Sequence, residues 1–421
     1  KGGSQRVKPP MSSDLAASRF SVQQARDLIK DLFPHKAWIY WTDFLLTITI
    51  GYTAAYLYLN HSAPIWSWER LTSYFVAGFA LFRAGSWIHE IVHFRGKQLQ
   101  RFTIAWNILA GIPMLMPSFF YSNHIDHHST KHYGTGQDGE YLPLGSGPLR
   151  ELGYFWMQAF VMPVVIYLRF LIITPLSLMC PPLRKWALER CSSFVLNLKY
   201  RHEIPRGAPL FWWAMLEFGC FLRAAALLVW VLAGWAPPSR IPVIYSIAVF
   251  TLGLNYVRNM VAHHYRSNGE PIGHVDQLFD SVNLRGMPII TELFFPLSLR
   301  YHALHHLFPS LPYHSLPTAH RRLMAELPAA SGYRETEYHG FWSVACELVC
   351  NARRISQVRR TKGTSVSDEW YNRRERLLLE RYGRRDRVEE SERHYRDDEP
   401  QMPDESLAGD LAPPAQVQTA S

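Results

Sequence analysis

The chain has 421 residues and a net charge of +9; 48% of its residues are hydrophobic and 14% aromatic, which excludes a disordered chain. Five cysteines without a CxxC pair exclude a disulfide scaffold and point to a reduced compartment. The length allows two or three soluble domains, or one polytopic membrane domain with polar extensions.

Residues 1–10 (KGGSQRVKPP) precede Met11 and read as a tag or linker scar, set aside from fold reasoning. Residues 11–37 are polar and charged and are expected to be a cytosolic N-terminal segment. Long apolar runs follow at 38–59, 71–87, 219–235 and 241–258, each long enough to cross a bilayer as a helix. Inside them the charges are few: Asp43, Arg83, Arg223 and Arg258. Two further stretches are less regular. Residues 102–121 are broken by Gly111, Pro113 and Pro117, and residues 153–179 by Pro163 and Pro175, with Arg169 between them. Both are expected to be re-entrant or interfacial. Residues 351–421 form a charged cytosolic tail, partly helical and then disordered; residues 353–387 carry 12 Lys/Arg against 5 Asp/Glu, and 388–421 carry 2 against 9.

Charge orients the spans. The loops 60–70 and 236–240 hold only Arg70 and Arg240, so nearly all the basic residues fall on the other, cytosolic side. The expected fold is all-α: a polytopic membrane domain over residues 38–350, with four transmembrane helices in two hairpins, re-entrant helices and a His-rich cytosolic cap. Both termini and the site lie in the cytosol. The basic face is assigned to a membrane surface and an acidic protein partner; no nucleic acid is expected.

Nineteen histidines cluster rather than scatter. His89 and His93 stand i, i+4 where the second run ends, on one helical face. His124, His127 and His128 repeat that logic as HxxHH, and His302, His305 and His306 do so again. By composition one HxxHH has a chance of about 0.04 per chain, so two of them beside an HxxxH are not accidental. All eight imidazoles lie on the cytosolic side and can converge. Neutral imidazole suits iron, zinc, copper or nickel, and eight are too many for one ion, so two ions are implied. Asn259 and His263, one turn apart at the end of the fourth run, are expected on one helical face above the cluster; His264 lies about 100° away and is the weaker candidate.

HEIVH also fits a zinc-protease helix, but that leaves both HxxHH sets unexplained. Glu90 to His93 is the ExxH of soluble di-iron bundles, which need a second copy that is absent. Bis-histidine haem ligation does not predict triplets, and a metal transporter would place His within the spans.

The set HxxxH, HxxHH, NxxxH, HxxHH over residues 35–330 resembles the membrane fatty acid desaturase and hydroxylase superfamily, and the phrase RYHALHHLFPSLPYHSLPTAHRRL resembles its bacterial members. The resemblance implies two non-haem irons, with O2 as co-substrate. Their ligands would be His89, His93, His124, His127, His128, His263, His302, His305 and His306, with Asn259 acting through water. Supporting carboxylates are sought among Glu90, Asp126, Asp276 and Asp280, with Asp138, Glu140 and Glu292 as further candidates. His132, His274 and His314 are taken as surface or network residues.

Abstraction of hydrogen from an unactivated alkyl C–H bond needs such a metal oxidant, and the site's place at the membrane suggests a fatty acyl substrate. Desaturation is the expected outcome. Hydroxylation, or decarboxylation of a free acid to a terminal 1-alkene, are the alternatives, and which occurs depends on which carbon is held at the irons. Arg83, Arg258 and Arg266 are candidate anchors for a substrate carboxylate. Trp106, Phe82, Trp87, Phe250 and Tyr256 are candidate tunnel linings. The chain has no HPGG segment, CxxC pairs or Gly-rich dinucleotide fingerprint, so electrons are expected from a separate donor such as a ferredoxin with its reductase. The localisation expected is the bacterial inner membrane.

Overall fold

The structure, a computed structural model, describes residues 20–360 and Trp370. The expectations for residues 1–19 and for the tail beyond 360 lie outside the described residues. The described chain is mostly helical. After α1 (Val22–Ile29) come two long helices, α2 (Ala37–Asn60) and α3 (Trp68–Val92), which pack along each other. Ser67 starts α3 by accepting the Arg70 N–H on its side chain. The half of α3 nearest its C-terminus is buried from Leu81 to Ile91 over most positions, against Tyr40, Phe44 and Phe102. Asp43, the sixth residue of its apolar run, meets Arg83 at 2.6 Å across this pair.

Residues 102–121 are broken as expected. Helix α4 (Gln100–Trp106) runs into a π-helical turn at Asn107–Gly111, and a 3-10 turn follows at Ser118–Tyr121, just before α5 (His124–His128). Residues 153–179 are not broken. They belong to one 31-residue helix, α6 (Leu149–Met179), which holds Pro163 within it and winds as a π-helix over Arg169–Ile173. Arg169 interrupts the apolar pattern, but it is buried and satisfied. It bonds to Glu217 and Ser192 and to the Cys191 carbonyl, and Glu217 also meets Arg184. Glu217 lies just before the run read from residue 219, which hid the pairing.

Short α7 (Pro181–Arg190) leads to α8 (Leu210–Leu232) and α9 (Arg240–Met260). Among the described residues, α6, α8 and α9 are the three helices long and apolar enough to cross a membrane. Helices α2 and α3 match them in length but are diluted by Trp, Tyr, Thr and charged side chains. The sequence had also paired α8 with α9 as a hairpin. Both also pack on α6: Tyr167 of α6 donates to the Ala224 carbonyl of α8, and the ring of Phe155 of α6 meets Tyr256 of α9 at 4.8 Å. Helix α9 packs on α3 as well.

The remaining chain forms α10 (His274–Asp280), α11 (Pro288–Phe294), α12 (His302–Leu307), α13 (Leu316–Glu326) and α14 (Phe341–Arg360). It also departs from the all-α expectation. Strands β1 (Asn283–Arg285) and β2 (Glu337–His339) pair in parallel, too short to leave a period in the sequence. Single bridges join His263 to Ser281 and Asn283 to Tyr301.

Candidate metal centre

The histidines from four separate segments meet in two adjoining clusters. His89, His93, His124 and His305 form one; His127, His263, His302 and His306 form the other. Within each, the candidate ligand atoms all lie within 4.8 Å of one another. His128 joins the first, its Nε2 3.0 Å from that of His124 and 3.1 Å from that of His305, and its ring also faces His306 at 4.3 Å. In the second cluster Nε2 of His263 lies 3.2 Å from His127 Nε2 and 3.0 Å from His302 Nε2, and His306 Nε2 lies 3.2 Å from His302 Nε2. Ligands at about 2.1 Å from one ion and at right angles sit about 3.0 Å apart, so these imidazole nitrogens are spaced as a shared cation requires.

The spacing of each motif on its helix explains part of this. His89 shares a face of α3 with His93 at its C-cap, and α5 and α12 are short helices that turn three imidazoles each to one side. His263 arrives differently. Helix α9 ends at Met260, so Asn259 and His263 do not share a helical face as expected. The bridge to Ser281 places His263, and its Nδ1 lies 2.9 Å from the Tyr133 hydroxyl and 3.1 Å from the Ser281 hydroxyl. His264 turns away toward Glu347, 3.7 Å from its Nδ1.

Buried carboxylates sit behind the rings. His127 Nδ1 is 2.9 Å from Asp138 Oδ2, and His124 Nδ1 is 2.8 Å from Glu140 Oε1. An Nδ1–H given to a carboxylate leaves the Nε2 lone pair facing the cluster, which fixes the tautomer and strengthens the donor. Asp280 acts through Tyr133, whose hydroxyl lies between Asp280 Oδ2 and His263; Tyr141 donates to the same oxygen. Of the carboxylates sought, Glu90 instead accepts from Tyr40 and the Tyr313 N–H, Asp126 accepts from Tyr200, and Asp276 lies against Gly273. Tyr133, Tyr141, Tyr121 and Ser281 were missed; an isolated hydroxyl carries no spacing signal.

Burial sets the protonation. It holds His124, His128, His263, His302, His305 and His306 well below the usual imidazole value, with their mutual repulsion adding to it. Burial also opposes a charge on His127, but the Asp138 carboxylate beside it raises that imidazole above its ordinary value. Burial pushes Glu140 up to about 7, and Asp280 up to about 6 against the hydrogen bonds from Tyr141 and Tyr133. Six neutral imidazoles at neutral pH are in the form that binds a metal.

The candidate anchors differ. Arg83 is held by Asp43 and Glu292, and Arg266 by Glu347. Arg258 is buried close to the clusters and bonds to Asn255 and Tyr121. Trp106 is fully buried in the core and donates to the Ala84 carbonyl.

Nine imidazoles thus converge, in two groups that could each hold a metal ion. Residues 66–338 match the fatty acid desaturase family, and the chain belongs to it. It is also similar to a ceramide hydroxylase of Caulobacter vibrioides (strain NA1000 / CB15N), with 33% identity over 350 residues, covering 82% of this chain and 96% of that protein. The family is a di-iron one that oxidises fatty acyl chains, and this protein is accordingly a membrane oxidoreductase of lipid metabolism.

Proposed function

We propose that the protein is an O2-dependent di-iron hydroxylase of the acyl or long-chain-base part of a neutral membrane lipid. The observation that carries the di-iron reading is the convergence of two His clusters on adjoining sites. One iron would be held by His89, His93, His124, His128 and His305, the other by His127, His263, His302 and His306, with Asn259 reaching the second through water. Irons so held supply the activation of O2 needed to oxidise an unactivated C–H bond. The chain's own residues do the rest. Asp138 and Glu140 orient His127 and His124, Tyr133 passes the influence of Asp280 to His263, and the buried surroundings keep bulk water out.

Hydroxylation is preferred because the similar protein, matched over nearly its whole length, is a hydroxylase of ceramide. Desaturation is the second reading, favoured by the family match. Decarboxylation needs a cation free to bind a carboxylate at the irons, and two of the three candidate arginines are matched by carboxylates.

In this reading α2 and α3 also enter the membrane and make four spans with α8 and α9, in the bacterial inner membrane, with the His-rich cap and both termini in the cytosol. A separate ferredoxin-like donor with its reductase delivers electrons to the basic cytosolic face. The deciding experiment feeds ceramides and free acids to the iron-loaded enzyme with an electron donor. A product 16 mass units heavier supports hydroxylation, one 2 units lighter supports desaturation, and loss of CO2 supports the decarboxylase.

A further inference from the structure

A groove of about 750 Å³ opens between α2, α3 and α11, a size at which pockets hold small molecules. Its walls are apolar, with Ile50, Phe75, Val76 and Ile289 among them, and its polar end is Arg83 with Glu292. The polarity runs in a definite direction. Arg83 stands six residues before His89 on α3, about 9 Å along the axis, while Phe75 lies about 12 Å farther from the metal centre. The groove is therefore polar toward the His clusters and greasy away from them, as a lipid of the nearer leaflet is. Helix α11 supports the same setting: Met287 just before it and Ile289 and Ile290 within it are 62%, 79% and 51% exposed, the pattern of an element resting among acyl chains.

Charge selects the headgroup. The Arg83 guanidinium is contacted by two carboxylates, Asp43 at 2.6 Å and Glu292 at 2.8 Å, and Asp43 also accepts from the Tyr313 hydroxyl. The triad carries a net −1, so a free carboxylate or a phosphate is repelled there. A head with hydroxyl or amide donors meets the Glu292 carboxylate, which lines the groove, instead.

We propose that this groove docks one bilayer lipid, its chain along α3 and its uncharged hydroxyl- and amide-bearing head at Arg83 and Glu292. This rests on the reading of the protein as a lipid-oxidising enzyme and names how that enzyme takes its substrate. It also reverses the expectation that Arg83 anchors a carboxylate.

The test uses the iron-loaded full-length protein in detergent and a fluorescent short-chain ceramide, with a free fatty acid carrying the same fluorophore as its rival. Wild type is expected to bind the ceramide probe at least tenfold tighter than the acid. Val76→Trp, which fills the groove, is expected to weaken ceramide binding at least tenfold with iron content unchanged. Ile289→Trp, on the exposed wall, repeats the test should the first variant lose iron. Glu292→Gln removes one negative charge and is expected to narrow the preference over the acid severalfold. Equal binding of both probes, or groove-filling variants that bind ceramide as wild type does, overturn the proposal. Failure of the functional reading looks different: wild type then binds the ceramide probe in the groove but oxidises no acyl substrate.

Discussion

His127 Nδ1 lies 2.9 Å from Asp138 Oδ2, with both side chains buried. Asp138 is not idle otherwise: it also accepts the backbone N–H groups of Gly134 and Glu140. One carboxylate thus holds both the loop and the ring, so the orientation of a cluster imidazole is tied to the shape of the segment that follows α5.

Asp138→Asn replaces an anionic acceptor behind His127 with a neutral amide. Metal affinity is expected to fall about 10- to 100-fold, as when such partners are lost at other metal sites. Titration of the apoprotein with ferrous iron checks this. Glu90→Gln, at a carboxylate that serves Tyr40 and Tyr313, is expected to leave the affinity within a few-fold.

The two clusters are expected to lose metal separately. The fully loaded protein should carry two irons per chain. His89→Ala should lower the content toward one and leave the His127, His263, His302 and His306 set intact; His263→Ala should do the converse. Metal analysis alongside a spectroscopic probe of iron pairing reads this. A single zinc per chain in the wild type would remove the di-iron assignment.

Glu217→Ala leaves Arg169 buried without its carboxylate. The cost is expected to be about 3–5 kcal/mol, the usual result of stripping one partner from a buried pair. Thermal denaturation in detergent should show a large loss. Replacing Arg169 and Arg184 by Met together with Glu217 by Leu should recover much of it, because no member of the buried cluster is then left charged without a partner.

Electron delivery is expected to depend on salt. With a ferredoxin-type donor the rate should fall steeply between low and physiological ionic strength, since a basic face steers an acidic carrier through a screened field. Turnover with NADPH alone and no added protein would contradict the need for a separate donor.

The histidine pattern was legible in the sequence because each box keeps its ligands on one helical turn, where spacing alone fixes the shared face. What lay between boxes was not. Asp138 and Glu140 reach the rings from a loop with no periodic pattern, and Tyr133 reaches His263 across 130 residues of chain. The long helices followed from apolar length, yet Arg169 concealed the continuity of α6, since its partner Glu217 belongs to another helix. The α8–α9 pairing is inferred from a short loop; the packing of α6 on each of them is a tertiary choice that hydropathy does not encode. His263 was found by its Asn259 companion but mounted on the wrong element, because the end of α9 at Met260 has no helix-stopping glycine or proline beside it.

Helix α12 gives His305 to one cluster and His302 with His306 to the other. Neither ligand set is complete until the ribosome has passed residue 306, although His89, His93 and His124 are made long before. A polypeptide halted before α12 has no closed set for either ion, so stable loading of the proposed irons waits on the synthesis of that helix.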